Sequence, residues 1–153
     1  MVMKYAHKIF IRIFVKPEED YNSIKEGLLW FAGFKEEELA KEKIFYIEED
    51  VSGLDDENLM VMKLELNKNK HINDQLSFLK KNFSEKDLDY LLNNRKPDEK
   101  SNFFIRLDKD EFQNKKIKLT EQGDCVHIRI SLAAFPSNAE NAYKVLEEIF
   151  LNR

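Results

Sequence analysis

Three apolar runs of this sequence each carry an arginine between two aliphatic residues. "KIFIRIFVK", "NFFIRLDK" and "CVHIRISLA" hold Arg12, Arg106 and Arg129 in the same local order. Successive side chains of a strand point to opposite sides. Ile11 and Ile13, Ile105 and Leu107, and Ile128 and Ile130 therefore face one way and each arginine the other. Flat rings share the arginine side: Phe10 and Phe14 around Arg12, Phe104 before Arg106, His127 before Arg129. A sheet face that interleaves guanidinium groups with rings can hold a nucleic acid by phosphate pairing and by base stacking, the latter worth roughly 1–3 kcal/mol per base. The competing reading pairs each arginine across strands with an acid such as Glu48 or Glu65, for about 0.2–1 kcal/mol, and buries the phenylalanines under a second layer.

More cations stand beside the second arginine strand. Arg95, Lys96 and Lys100 precede it and Lys109, Lys115 and Lys116 follow it, positions from which long side chains reach the margin of a groove. Asp98, Glu99, Asp108, Asp110 and Glu111 are interspersed, so the same residues also read as solvated loop charge. The net charge is −4, but its distribution is uneven. Residues 1–17 carry four basic and no acidic residues, residues 18–65 carry 15 acidic against 5 basic, and residues 95–129 carry 9 basic against 7 acidic. A local basic face on an acidic chain can still take up phosphate, and the acidic stretch would repel it.

Catalytic signatures are missing. The sequence has no glycine-rich phosphate loop, no serine elbow and no paired-cysteine motif. Cys125 and His127 share a strand face by spacing, but two ligands without a second cluster make a poor metal site. Glu48 to Asp50 and Asp55 to Glu57 flank a turn and read as a solvated hairpin end. No enzyme, cofactor or metal is expected.

Strands and helices must position the arginine face. The run 7–15 alternates as a half-buried strand. A helix follows, with Pro17 in its first turn, Glu18, Glu19 and Asp20 near its positive end, and a stop at Gly33. "KEKIFYIEEDV" and "NLMVMKLELNK" form a hairpin around "SGLDDE". Two helices come next, the second capped by Ser84 with Asp87 three residues on. The last third reads as strand 102–107, a polar link, strand 115–120, a turn at Gly123, strand 124–134, and a helix capped by Ser137 or Asn138. The order β-α-β-β-α-α-β-β-β-α predicts an α+β fold, a mixed or antiparallel sheet with helices packed on one face. At 153 residues and 42% hydrophobic content the chain suits one domain, 1–153, and four glycines and three prolines mark no linker. A lone cysteine and the lack of a long apolar segment suggest a reducing, cytoplasmic setting without a membrane span.

From Arg95 and Asp98 through "FFIRLDKDEFQNKKIKL" to "GDCVHIRISLAAFP" and the closing helix, the chain resembles a family of archaeal proteins described as RNA-binding proteins or predicted exosome subunits, the domain of unknown function 54. The arginine strand ending in Leu-Asp-Lys, Asp124 opening the last strand and Pro136 before the last helix carry the resemblance, together with the opening "HKIFIRIFVKPEED". It implies a fold like that of the large-subunit ribosomal protein that binds 5S ribosomal RNA, and RNA binding without catalysis, in RNA processing or exosome-linked metabolism. The sequence departs from the family pattern at Asn114, where glycine is expected, and in the acidic middle. The expected RNA-binding set is Arg12, Arg106 and Arg129 with Phe10, Phe14 and Phe104, and Arg95, Lys109, Lys115 and Lys116 at the margin. Docking of a protein partner on the same face, within an RNA-processing assembly, is the alternative.

Overall fold

A computed structural model describes residues 3–52 and 58–151. The chain runs β1 (Ala6–Val15), α1 (Tyr21–Ala32), α2 (Glu36–Lys41), β2 (Phe45–Asp50), β3 (Met60–Leu66), α3 (Asn69–Asn82), α4 (Glu85–Asn94), β4 (Asn102–Asp108), α5 (Lys109–Gln113), β5 (Cys125–Leu132) and α6 (Ala139–Phe150). The strands form one antiparallel sheet in the order β2-β3-β1-β5-β4, in an α+β fold. β2 and β3 pair with Tyr46 opposite Leu64 and Glu48 opposite Met62. Antiparallel neighbours need only short links, whereas parallel ones need a crossover. Two compact units draw on these strands: Met1–Ile9, Leu66–Ile105 and Arg129–Arg153 make one, Phe10–Glu65 and Arg106–Ile128 the other.

β1, β4 and β5 bury alternate residues along most of their length. Ile9, Ile11, Ile13 and Val15 of β1, Phe103, Ile105 and Leu107 of β4, and Val126, Ile128, Ile130 and Leu132 of β5 are all buried. The alternation fails at the start of β1, where Ala6 is buried and His7 exposed.

Local chemistry sets the ends of the helices. Asp20, not Pro17, starts α1: its carboxylate accepts from the Ser23 amide at 3.1 Å, because Lys16 to Glu19 close a turn first. Gly33 ends α1 with φ 81°, its N–H reaching the Leu29 carbonyl at 2.9 Å, a left-handed cap that glycine adopts without strain. Ser84 caps α4 through the Asp87 amide, and Asn138 caps α6 through the Asn141 amide.

Three sequence expectations change. The link after β4 is helical: Asp108 accepts from the Glu111 amide at 3.0 Å and starts α5. Residues 115–120 form no strand, only a bridge of Leu119 to Leu107 with two flanking hydrogen bonds, because Lys115 turns left-handed at φ 58°. Asn114 does not take the left-handed position. The hairpin turn 53–57 lies outside the described residues.

α5 is short but closely packed. A Cβ on Gly27 of α1 would stand 2.8 Å from the Phe112 carbonyl oxygen, and the Phe31 and Phe112 rings lie 5.4 Å apart. Backbone cannot yield as a flexible side chain can. Gly27→Ala should therefore destabilise the fold by about 1–3 kcal/mol, although alanine favours a helix elsewhere. Urea denaturation of the variant measures this.

Candidate nucleic-acid interface

The arginine side of the strands is partly exposed, although Cys125 and Val61 are buried on it. In the unit Phe10–Glu65 with Arg106–Ile128, Phe10, Arg12 and Phe14 on β1 and His127 on β5 are half-buried, and Arg106 on β4 is exposed. On the edge strand β2 and its neighbour β3, Phe45 and Ile47 stand opposite Glu65 and Lys63, and Phe45 is 45% exposed. In the other unit, Arg129 alternates with the buried Ile128 and Ile130, and Phe104 is 48% exposed. Strand parity thus puts each arginine and each of these rings on the side opposite its strand's core residues.

Arg12 rests on an aromatic ring. Its guanidinium carbon sits 5.2 Å from the centre of the Phe14 ring, and its Nε is buried without a hydrogen-bond partner. An attraction of roughly 0.5–2 kcal/mol to the ring fixes the side chain, while a buried donor left unmade costs about 1–3 kcal/mol until something accepts from it. Arg106 is steadied differently: its Nη1 donates to the Glu121 carbonyl at 3.1 Å. Among the described residues neither Arg12 nor Arg106 forms an ion pair with a carboxylate. The cross-strand pairing with Glu48 therefore does not occur. Glu48 faces the core side of β2 and takes other partners.

His127 lies on β5, between the strands of these two arginines. Burial, then the positive charges of Arg12 and Arg106, hold its pKa below the ordinary imidazole value. Burial raises the pKa of Cys125, whose Sγ is 3.6 Å from His127 Nε2. Both groups are neutral at pH 7. No cluster of three metal-ligating side chains exists among the described residues.

Lys109 does not stand at the margin of this face. It is 4% exposed, and its Nζ donates to the Phe14 carbonyl at 2.6 Å, Asp124 Oδ2 at 2.5 Å and Glu19 Oε1 at 3.1 Å. Three ammonium protons meet three acceptors, which offsets the cost of burying the group. Asp124 also lies 3.5 Å from Lys16 Nζ. The cluster ties the end of β1 to the starts of α1, α5 and β5. Lys115 and Lys116 are exposed on the link after α5, and Arg95 is half-exposed at the end of α4, in the other unit.

The acidic end of the hairpin is more than solvated charge. Glu48 accepts from both the Tyr21 and Tyr46 hydroxyls, the latter at 2.6 Å, and pairs with Lys25 at 2.7 Å. Lys25 also meets Glu36 at 2.6 Å. Glu49 pairs with Lys63, and Asp50 accepts from the Ser52 amide and hydroxyl. Burial and the bonds to Glu48 raise the pKa of both tyrosines. Burial alone would raise the pKa of Glu48, but the bonds from Lys25, Tyr21 and Tyr46 outweigh it and lower the value.

A carboxylate whose folded pKa is depressed stabilises the fold above its unfolded pKa, about 4.3. The contribution is lost as pH falls through the lower folded value. Glu48→Gln should cost about 1 kcal/mol at pH 7, discounted because a quarter of the side chain is exposed. The difference from the parent should shrink below pH 4, and denaturation at pH 7 and pH 3.5 measures it.

Comparisons with known proteins fall on the whole of this architecture. Residues 8–132 match the model of a family described as RNA binding. The chain belongs to that family. The RNA-binding protein PAB1135 of Pyrococcus abyssi is 32% identical over 145 residues, covering 94% of this chain and 92% of its own. Among solved structures, the DUF54 protein Mth689 of Methanothermobacter thermautotrophicus superposes with TM-score 0.76 at 21% identity, over 95% of this chain and 98% of its own. The DUF54 protein AF2318 of Archaeglobus fulgidus gives TM-score 0.75 at 20% identity, over 94% and 99%. These two likenesses carry the fold, and the RNA-binding family membership rests on the sequence matches.

Proposed function

We infer that the chain is a non-catalytic RNA-binding protein and that RNA lies on the arginine side of the sheet, with Arg12 and Arg106 on phosphates and Phe14 under a base. The observation that carries this reading is the Arg12 side chain. It is steadied on an aromatic ring, has no carboxylate partner among the described residues, and keeps a buried donor unused. An arginine built only for stability would be paired, because an unmet donor costs more than a hydrogen bond returns. Family membership and the RNA-binding name of the Pyrococcus relative support the same ligand.

Phe10 extends the face by strand parity, and the exposed Lys115 and Lys116 can meet phosphate at its border; Arg129 and Phe104 take the side opposite the core on strands of the other unit. Arg95 stays in the set as a half-exposed cation of its own unit, and Lys109 leaves it. A cytoplasmic role in archaeal RNA processing, in an exosome-linked assembly, follows from the family resemblance and is proposed on that ground.

Counterion release gives the test. Affinity for single-stranded RNA should fall with salt at a logarithmic slope of about 0.7 for each contacted phosphate. A mobility-shift series with oligouridylate from low to moderate salt reads the slope. No binding at low salt would defeat the proposal, and would favour a protein as the occupant of the face if Phe14→Ala then broke a specific protein complex.

A further inference from the structure

We propose that Arg12, His127 and Arg106 together form the seat of a single RNA phosphodiester, with His127 as its central contact. This deepens the RNA-binding reading and rests on it. β1, β5 and β4 are neighbours in that order, so the imidazole lies on the strand between the two guanidinium groups. Both arginine charges are felt at His127 and at Cys125, two residues earlier on β5. Three basic side chains thus stand on adjacent strands of a single compact unit, each on the side opposite its strand's core residues.

What would neutralise these groups from within is already committed. Asp124 is the acidic group whose charge reaches His127, and it is held by Lys109 at 2.5 Å and by Lys16 at 3.5 Å. The Cys125 thiol is neutral, and Lys109 adds positive charge from α5. Arg12 and Arg106 have no carboxylate of their own among the described residues. An anion is the missing partner, and a phosphodiester offers acceptors for Arg12 Nε, for the free guanidinium nitrogens of Arg106 and for an imidazole N–H.

A proton follows the phosphate. In the free protein His127 is neutral because burial and two cations oppose the imidazolium. A phosphate between those cations offsets their charge and accepts a hydrogen bond from the charged ring. Both effects favour protonation. Binding should then take up one proton from solvent, and affinity should rise as pH falls, by at most tenfold per pH unit for one proton.

The experiment uses the full chain and oligouridylate, whose bases and diesters keep their charge between pH 5.5 and 8. NMR follows the three imidazoles through a pH titration with and without saturating oligonucleotide. The expected result is an upward shift of at least one pKa unit at His127 alone, with His7 and His71 unmoved, and affinity that rises about tenfold from pH 8 to pH 6. His127→Gln should flatten that pH dependence. If the oligonucleotide binds with its salt slope but His127 titrates as in the free protein, the seat is elsewhere and the RNA-binding reading survives. If no oligonucleotide binds, both fail. If millimolar sulfate gives the same His127 shift as the oligonucleotide at equal anion concentration, the site is a simple anion hole and the phosphodiester assignment is overturned. The NMR arm needs no variant, so a poorly folding His127→Gln leaves the result decisive.

Discussion

Replacing Lys109 with methionine is expected to lower stability by about 3 kcal/mol while leaving the salt dependence of RNA binding unchanged. The side chain holds the Phe14 carbonyl, Glu19 and Asp124 at once. Removing one member of a buried pair typically costs about 3–5 kcal/mol, because the remaining charge stays desolvated. The lower end applies here: Asp124 keeps Lys16 nearby and a 30% exposed side chain. In a chain of this size 3 kcal/mol corresponds to a melting temperature lower by about 6–12 °C. Adding Asp124→Asn should recover part of the loss by removing the stranded charge, and the double-mutant cycle reads the coupling. A Lys109→Met protein within 0.5 kcal/mol of the parent would show that the cluster contributes little. A salt slope reduced by about 0.7 would instead return Lys109 to the RNA contacts.

Lys109 also shows where sequence reasoning stops. In "DKDEFQNKK" six of nine residues are charged, and a run of mixed charge reads as solvated loop. The segment folds into five helical residues, too few for a hydrophobic period to register. Asp108 followed three residues later by Glu111 was the available signal, since it is the spacing of a helix start. That pattern gives the helix but not the burial. Burial depends on Glu19 and Asp124, ninety and fifteen residues away, and no local pattern carries that.

The side that Arg12 takes on its strand, by contrast, was legible, because strand parity is a local property. "IFIRIFV" fixes which side Arg12 takes before any partner strand is known, and burial of Ile11 and Ile13 follows from the same alternation. Strand 115–120 failed for the opposite reason. Its composition suits a strand, but a strand exists only through its ladder, and the left-handed Lys115 leaves one bridge to β4. The role of Glu48 was hidden in the same way, since Tyr21 and Lys25, its partners, lie on a helix more than twenty residues earlier.

Arg12→Gln and Arg106→Gln should each weaken oligouridylate binding by about 1.5–3 kcal/mol, roughly ten- to a hundredfold, the range for hydrogen bonds to charged groups. Each should also lower the salt slope by about 0.7, one phosphate contact. Arg12→Gln should change stability by about 1 kcal/mol or less, since loss of the ring contact and removal of the unmet buried Nε oppose each other, and Arg106→Gln should cost about 1 kcal/mol for its bond to the Glu121 carbonyl. Phe14→Ala separates the two modes of contact. It should cost about 1–3 kcal/mol of binding through lost stacking, with the slope unchanged if Arg12 keeps its phosphate. Because Arg12 leans on that ring, a moderate slope loss in Phe14→Ala would mean that the ring acts by orienting the arginine. If both arginine variants bind with the parent's affinity and slope, the arginine side of the sheet does not carry RNA. The exposed rings of the face would then have to be explained by a protein partner, whose complex should respond to Phe14→Ala and not to salt.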